Sequence, residues 1–208
     1  MTDLPFTPAD PDIAARLDAS LDVEGKIPRA LETLGPVAGR DVLLIDGEGG
    51  RRAAQLAELG ARVRTIPAPA GDGTLAAEAA SADVVVGLWS TFRAPCATEL
   101  AEADRVLRPG GRILIVHDYG RDDVARLRGE LPEHGAWSRR DGWFLTNGFR
   151  IRVIHCFWTF AAIEDAQGFL ADAFGPVGVD VGAGLKRPRL SYNVAVYHRD
   201  RGGTGAPG

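Results

Sequence analysis

The chain alternates short, wholly apolar runs with amphipathic stretches, and that alternation predicts most of its elements. Val42-Leu43-Leu44-Ile45 is a continuous apolar run bounded by Asp41 and Asp46, the pattern of a strand buried on both faces. Similar reasoning predicts strands over residues 61–66, 83–88, 112–117 and 191–198. A further strand over 149–157 alternates, with Phe149, Ile151, Val153 and His155 on one side and Arg150, Arg152, Ile154 and Cys156 on the other. A helical period begins at Asp12, where Ile13, Leu17 and Leu21 recur every fourth position. Further helices are expected over 28–34, ended by Gly35-Pro36; over 51–59, stopped by Gly60; over 74–80; from Pro95 to Leu107; over 122–130; and over 163–174, ended by Gly175-Pro176. Residues 1–12 read as a loose arm, 131–148 as irregular, and 201–208 as a disordered glycine-rich tail.

Strands and helices in turn, joined by short loops, define an α/β protein: a mostly parallel sheet with helices on both faces. The last two strands, separated by a helix and a loop, suit a sheet edge with one antiparallel strand. The expected organisation is an N-terminal arm and helices over 1–35, an α/β domain over 36–200, and the tail.

Length and composition narrow this picture. A chain of 208 residues, 45% hydrophobic and 25% charged, suits one substantial core in a water-soluble protein. No apolar run approaches the roughly 20 residues that span a bilayer, and the N-terminus carries no basic segment followed by an apolar one. Cys96 and Cys156 are the only cysteines, so no disulfide framework is expected, and a reducing, cytoplasmic setting follows. The net charge of −4 argues against a dedicated nucleic-acid binder. Arg139, Arg140, Arg150, Arg152, Lys186, Arg187 and Arg189 form the one local basic excess, either an anion-binding patch or a solvated face.

The loop Gly47-Glu48-Gly49-Gly50 sits between a buried strand and a helix, where backbone N–H groups and the helix N-terminus face a ligand. A nicotinamide fingerprint needs a third glycine where this chain has Arg52. Asp46 and Glu48 are candidate acceptors for a ligand's amino or hydroxyl groups, or caps of an ordinary turn; Arg51 and Arg52 are candidate anion contacts, or solvated. His117-Asp118-Tyr119 ends a central strand at the ligand edge, which makes His117 a candidate base and Asp118 or Tyr119 its orienting group. His155 and Cys156 are strand neighbours pointing to opposite faces, so they cannot share a metal, and none is expected. The aromatics Trp137, Trp143, Phe144, Phe157, Trp158 and Phe160 are candidates for an acceptor pocket, a core or a dimer surface. Tyr192 and Asn193 are candidate pocket polar groups.

Two segments make the chain resemble a class I S-adenosylmethionine-dependent methyltransferase with a Rossmann-like sheet. Residues 100–116, "LAEADRVLRPGGRILIV", resemble that family's passage from helix to fifth strand. Residues 42–61, "VLLIDGEGGRRAAQLAELGA", resemble its first strand, glycine loop and helix, and "DVVVGLW" at 83–89 is similar to its fourth strand. The resemblance covers about residues 30–198. It implies S-adenosylmethionine held by Asp46, Gly47, Glu48, Gly49, Gly50, Leu88 and Trp89, and methyl transfer to an oxygen or nitrogen of a small-molecule acceptor, with His117 and Asp118 at the reaction centre. Nucleic acid and membrane are not expected partners; a homodimer is compatible.

The chain departs from the family at defined places. The family's first-strand acid falls at Leu44, its first and second glycines at Asp46 and Glu48, and its ribose-holding acid at or near Pro67. Sixteen residues lie between Ile66 and Asp83, too few for helix, third strand and second helix, so the sheet is shortened between the family's second and fourth strands. A catalytically inactive binding or scaffolding module on the same fold is therefore the alternative. An enzyme using a nucleotide through Arg51 and Arg52 is a third reading.

Overall fold

The computed structural model describes residues 4–46, 50–69, 71–93, 97–129, 131 and 133–203. Four strands form the parallel part of one sheet: β1 (Asp41–Ile45), β2 (Arg62–Ile66), β3 (Ala82–Leu88) and β4 (Leu107–Asp118). Two C-terminal strands complete it, β5 (Arg150–Thr159) and β6 (Arg189–Asp200), in the order β2-β1-β3-β4-β6-β5. β1 pairs in parallel with β2 and β3, and β3 with β4; β6 runs antiparallel to both β4 and β5. The antiparallel strand thus lies one place in from the edge, and β5 occupies the edge itself.

Alternation along each strand sorts side chains onto two faces. Leu44, Val86, Val116, Val194 and Trp158 face α1 (Pro11–Ser20), α2 (Lys26–Leu34), α3 (Arg51–Glu58), α5 (Asp123–Arg128) and α7 (Ile163–Ala183). Leu43, Val85, Ile115, Ala195 and Tyr197 face α4 (Ala97–Val106) and the one-turn α6 (Trp143–Thr146). Helix starts are set by acids that satisfy otherwise unpaired N–H groups. Asp10 accepts from Asp12 N at 2.8 Å, Asp22 from Lys26 and Ile27 N at 2.9 and 2.8 Å, and Asp122 from Ala125 N at 2.7 Å.

Between Ile66 and Ala82 the described residues form no helix or strand, so β2 is the sheet edge and the shortening read from the sequence is present. The helix expected over 74–80 is a series of turns. Ala80 adopts φ 50°, and the Ala80 and Ser81 N–H groups donate to the Arg105 and Val106 carbonyls, so the tertiary setting overrides alanine's helix propensity. α7 does not stop at Gly175-Pro176; it kinks there, with Gly175 at φ 57°, and continues to Ala183. The arm is not loose where described: Leu4 is 3% exposed, and Phe6 packs against Trp158 and Phe174. Glu130, the end of the tail (204–208) and the expected Pro95 helix start lie outside the described residues.

Candidate functional site

The carboxyl ends of β1, β3 and β4 meet at one edge of the sheet, where ligands sit in open α/β folds. At the end of β1, Asp46 adopts φ 58°, a backbone setting normally left to glycine, and its N–H donates to the Ile66 carbonyl at 2.7 Å. Asp46 thus takes the conformation natural to the glycine that the resemblance aligns with it. Gly47, Glu48 and Gly49 lie outside the described residues. Gly50 is extended and opens α3, whose first turn has no side-chain cap.

Arg51 and Arg52 are turned toward the connection between α1 and α2. The Arg51 guanidinium donates to the Leu21 carbonyl and lies 3.8 Å from the Asp18 carboxylate. Arg52 is 2% exposed, donates to Gln55 Oε1 at 2.7 Å and lies 3.6 Å from the buried Asp22 carboxylate. Arg52 is buried and Arg51 only partly exposed, and these contacts hold both to the protein itself.

After β3 the chain makes a strained turn. Leu88 and Trp89 are buried, and both Trp89 and Phe92 adopt φ 55°, rare for bulky residues and typical of segments held for a purpose. The Trp89 N–H donates to the Val116 carbonyl at 2.9 Å, and its indole Nε1–H donates to Asp118 at 3.1 Å. Between the two aromatics, Ser90 Oγ and Thr91 Oγ1 are buried and make no hydrogen bond. Native proteins satisfy nearly all such atoms, so the pair is a candidate contact for a bound group or an ordered water.

The end of β4 separates two residues read together in the sequence. His117 points to the α4 and α6 face, fully buried, with its ring 4.7 Å from Trp137 and 6.1 Å from Phe144. Neither ring nitrogen makes a well-formed hydrogen bond, although the Thr91 backbone lies close enough to favour the protonated ring. Burial foremost, then the positive charge of Arg93, lowers its pKa to about 3, with the Thr91 backbone working weakly the other way. Asp118 points to the opposite face, where its carboxylate accepts from Trp89, the Tyr192 hydroxyl and Arg128. Burial raises the Asp118 pKa, while the Arg128 charge and the Tyr192 hydroxyl pull it down. Burial and the neighbouring carboxylate push the Tyr192 phenol well up. Asp118 therefore cannot orient His117: adjacent strand residues face apart.

The aromatics split in the same way. Trp137, Trp143 and Phe144 pack with Phe149 and Tyr197 on the His117 side, whereas Trp158 and Phe160 pack on the other side with Phe169 and Phe174. They do not line one pocket. His155 hydrogen-bonds Asn193 at 2.8 Å, and burial pushes the Cys156 thiol pKa up, as for a structural thiol. Among the described residues no group of three or more His, Cys, Asp or Glu is placed to hold a metal, and no helix is long and apolar enough to cross a membrane.

Two participants escaped the sequence reading. Arg128 lies one helical turn after the buried Val124 and so on a core-facing stripe, a signal visible in the sequence. Arg93, paired with the 3%-exposed Glu133 at 2.6 Å, sits in loops with no periodicity to read.

No family model and no curated protein matches the chain. Solved structures do. An S-adenosylmethionine-dependent methyltransferase from Aquifex aeolicus matches with a TM-score of 0.56 at 17% identity, over 93% of this chain and 98% of that one. A protein assigned as a type II methyltransferase from Anaeromyxobacter dehalogenans matches with a TM-score of 0.53 at 19% identity, over 84% and 94% of the two chains. One assigned as a methyltransferase from Bacillus halodurans matches with a TM-score of 0.50 at 16% identity, over 84% and 98%. The chain therefore has the α/β fold of class I S-adenosylmethionine-dependent methyltransferases, and among the described residues no strand lies between β2 and β3.

Proposed function

We propose that the protein transfers a methyl group from S-adenosylmethionine to an oxygen or nitrogen of a small-molecule acceptor. The observation that carries this reading is the pair of buried, unbonded hydroxyls of Ser90 and Thr91 after β3, next to Leu88 and Trp89, which the resemblance assigns to the cofactor. Asp46, Gly47, Glu48, Gly49 and Gly50 would hold the cofactor from the β1 side, with Leu88 and Trp89 beside it. S-adenosylmethionine supplies an electrophilic methyl group on a sulfonium, so positioning the acceptor provides much of the acceleration. His117 stays neutral near pH 7 and has one nitrogen to donate and one to accept, so its proposed role is to orient the acceptor by a hydrogen bond. Asp118 acts through Trp89, holding the indole and thereby the turn that carries Ser90 and Thr91.

The test is calorimetric titration with S-adenosylmethionine and S-adenosylhomocysteine, comparing wild type with Thr91→Val. Saturable binding is expected, weakened about fivefold by loss of one hydrogen bond. The apo Thr91→Val protein should be at least as heat-stable as wild type, because the hydroxyl removed has no partner. Absence of heat and of any thermal shift at millimolar ligand would overturn the proposal.

A second reading, a non-catalytic binding module, is favoured by the edge at β2, which is followed by Pro67 in place of an acid and, among the described residues, has no further strand beside it. It predicts no cofactor binding and indifference to Thr91→Val.

A further inference from the structure

A cavity of about 490 Å³ opens at the carboxyl end of β5, between α5, the end of α7 and the start of β6. Its size lies within the range of small-molecule sites. It is lined by Lys186, Arg187 and Arg189, from the run Lys186-Arg187-Pro188-Arg189, together with Phe157. Most arginines of this acidic chain are matched with carboxylates, yet these three cations have no ion-pair partner among the described residues.

The segment is also held in place. The Arg189 N–H donates to the Arg187 carbonyl at 2.8 Å, Phe160 N–H to the Pro188 carbonyl at 2.8 Å, and Leu185 N–H to the Gly182 carbonyl at 3.1 Å. The Arg189 guanidinium lies 4.4 Å from the Phe157 ring centroid, and Lys26 lies 5.0 Å from it. Seating Arg189 on Phe157 before a ligand arrives removes part of the ordering cost of binding it. The acids nearby are mostly spent. Asp123 accepts from Ser191 N and Oγ at 3.0 and 2.6 Å and pairs with Arg126 at 3.3 Å. Glu24, whose carboxyl feels Arg189, is held by Lys26 at 2.6 Å. Asp180, on the cavity wall, offsets one of the three cations.

We infer that this cavity is a binding site for a phosphate monoester of a small molecule. Two net positive charges remain after Asp180 is counted, matching the charge of about −1.5 to −2 that a phosphate monoester carries at neutral pH. Planar arginine forks suit its oxygens in paired hydrogen bonds. This assignment stands apart from methyl transfer, since it involves none of the residues proposed to hold the cofactor.

The test is titration of the intact protein with phenyl phosphate in low-salt buffer, following heat or a thermal shift. Saturable binding is expected to weaken with added salt and to fall about tenfold or more in Arg187→Gln/Arg189→Gln, as charge-assisted hydrogen bonds do. Arg187→Glu alone, at an exposed position, should abolish binding and leave thermal unfolding unchanged, whereas Arg140→Gln, also exposed, should leave both unchanged. No saturable binding, or equal binding by wild type and Arg187→Glu, would overturn the inference. So would succinate binding as tightly as phenyl phosphate, or a single-stranded oligonucleotide binding far more tightly with the same dependence on Arg187.

Discussion

His117 is expected to remain neutral far below the pH at which an exposed histidine takes up its proton. Its ring is fully buried against Trp137 and Phe144, makes no well-formed hydrogen bond, and feels the charge of Arg93. In the unfolded chain the imidazole protonates near 6.5; in the folded one it does so at about 3. Between those values the unfolded state binds a proton that the folded state refuses. This contribution to stability is therefore complete above about pH 6.5 and is lost as the pH falls toward 3. The gap is worth about 4–5 kcal/mol, a large share of the ~5–15 kcal/mol that holds a typical domain together. Ring-proton NMR should show one of the four histidines silent from pH 8 to 4. Denaturant unfolding across the same range should show a shallower acid slope in His117→Phe than in wild type. His198, which burial also shifts down, contributes to both proteins, so the difference isolates His117. An imidazole titrating near pH 6–7 for every histidine, or identical slopes in the two proteins, would refute the reasoning and restore His117 as a neutral-pH base.

Arg128→Met leaves Asp118 as a buried carboxylate facing only Tyr192 and Trp89, which should cost about 3–5 kcal/mol near neutral pH. The melting temperature should then fall by roughly 6–20 °C. Because burial raises the Asp118 pKa, lowering the pH toward 5 should restore part of this loss in the variant; a pH-independent loss would argue against the cluster. Gly87→Ala places a methyl group against Thr91 Oγ1 and 3.1 Å from Ile115 Cδ1, so about 1–3 kcal/mol of destabilisation is expected in denaturant unfolding. Leu4→Ala should cost about 2–5 kcal/mol if the arm belongs to the core, and a change below about 0.5 kcal/mol would return it to a loose segment.

The frame of the sheet was legible because β1, β3 and β4 are buried on both faces and so appear as uninterrupted apolar runs. The shortening was legible from chain length alone, since too few residues lie between Ile66 and Asp83. Segments 74–80 and 175–183 misled because local propensity is a weak force beside a carbonyl offered by α4, or beside packing that carries a helix across a proline. Around the candidate site, the contacts that matter join residues distant in sequence: Arg52 to Asp22, Trp89 to Asp118, Tyr192 to Asp118. No periodicity encodes such pairings. The separation of His117 from Asp118 is different, for strand alternation alone dictates it.

The placement of β6 between β4 and β5 governs the order in which the molecule can be built. β5 is made before β6, yet among the described residues, apart from a single bridge between Leu21 and Trp158, it pairs with β6 alone, through ten register pairs from Arg150–His198 to Thr159–Arg189. A nascent chain that has emerged only as far as α7 can assemble its parallel strands, while β5 waits without a neighbour on its inner side. Vectorial synthesis therefore leaves Ile154, Cys156 and Trp158 uncovered by the sheet until the last strand arrives, and pairing across such separations is slow. Chains cut short before Arg189 lose two strands rather than one, and the stretch they expose is the one on which chaperones or aggregation would act.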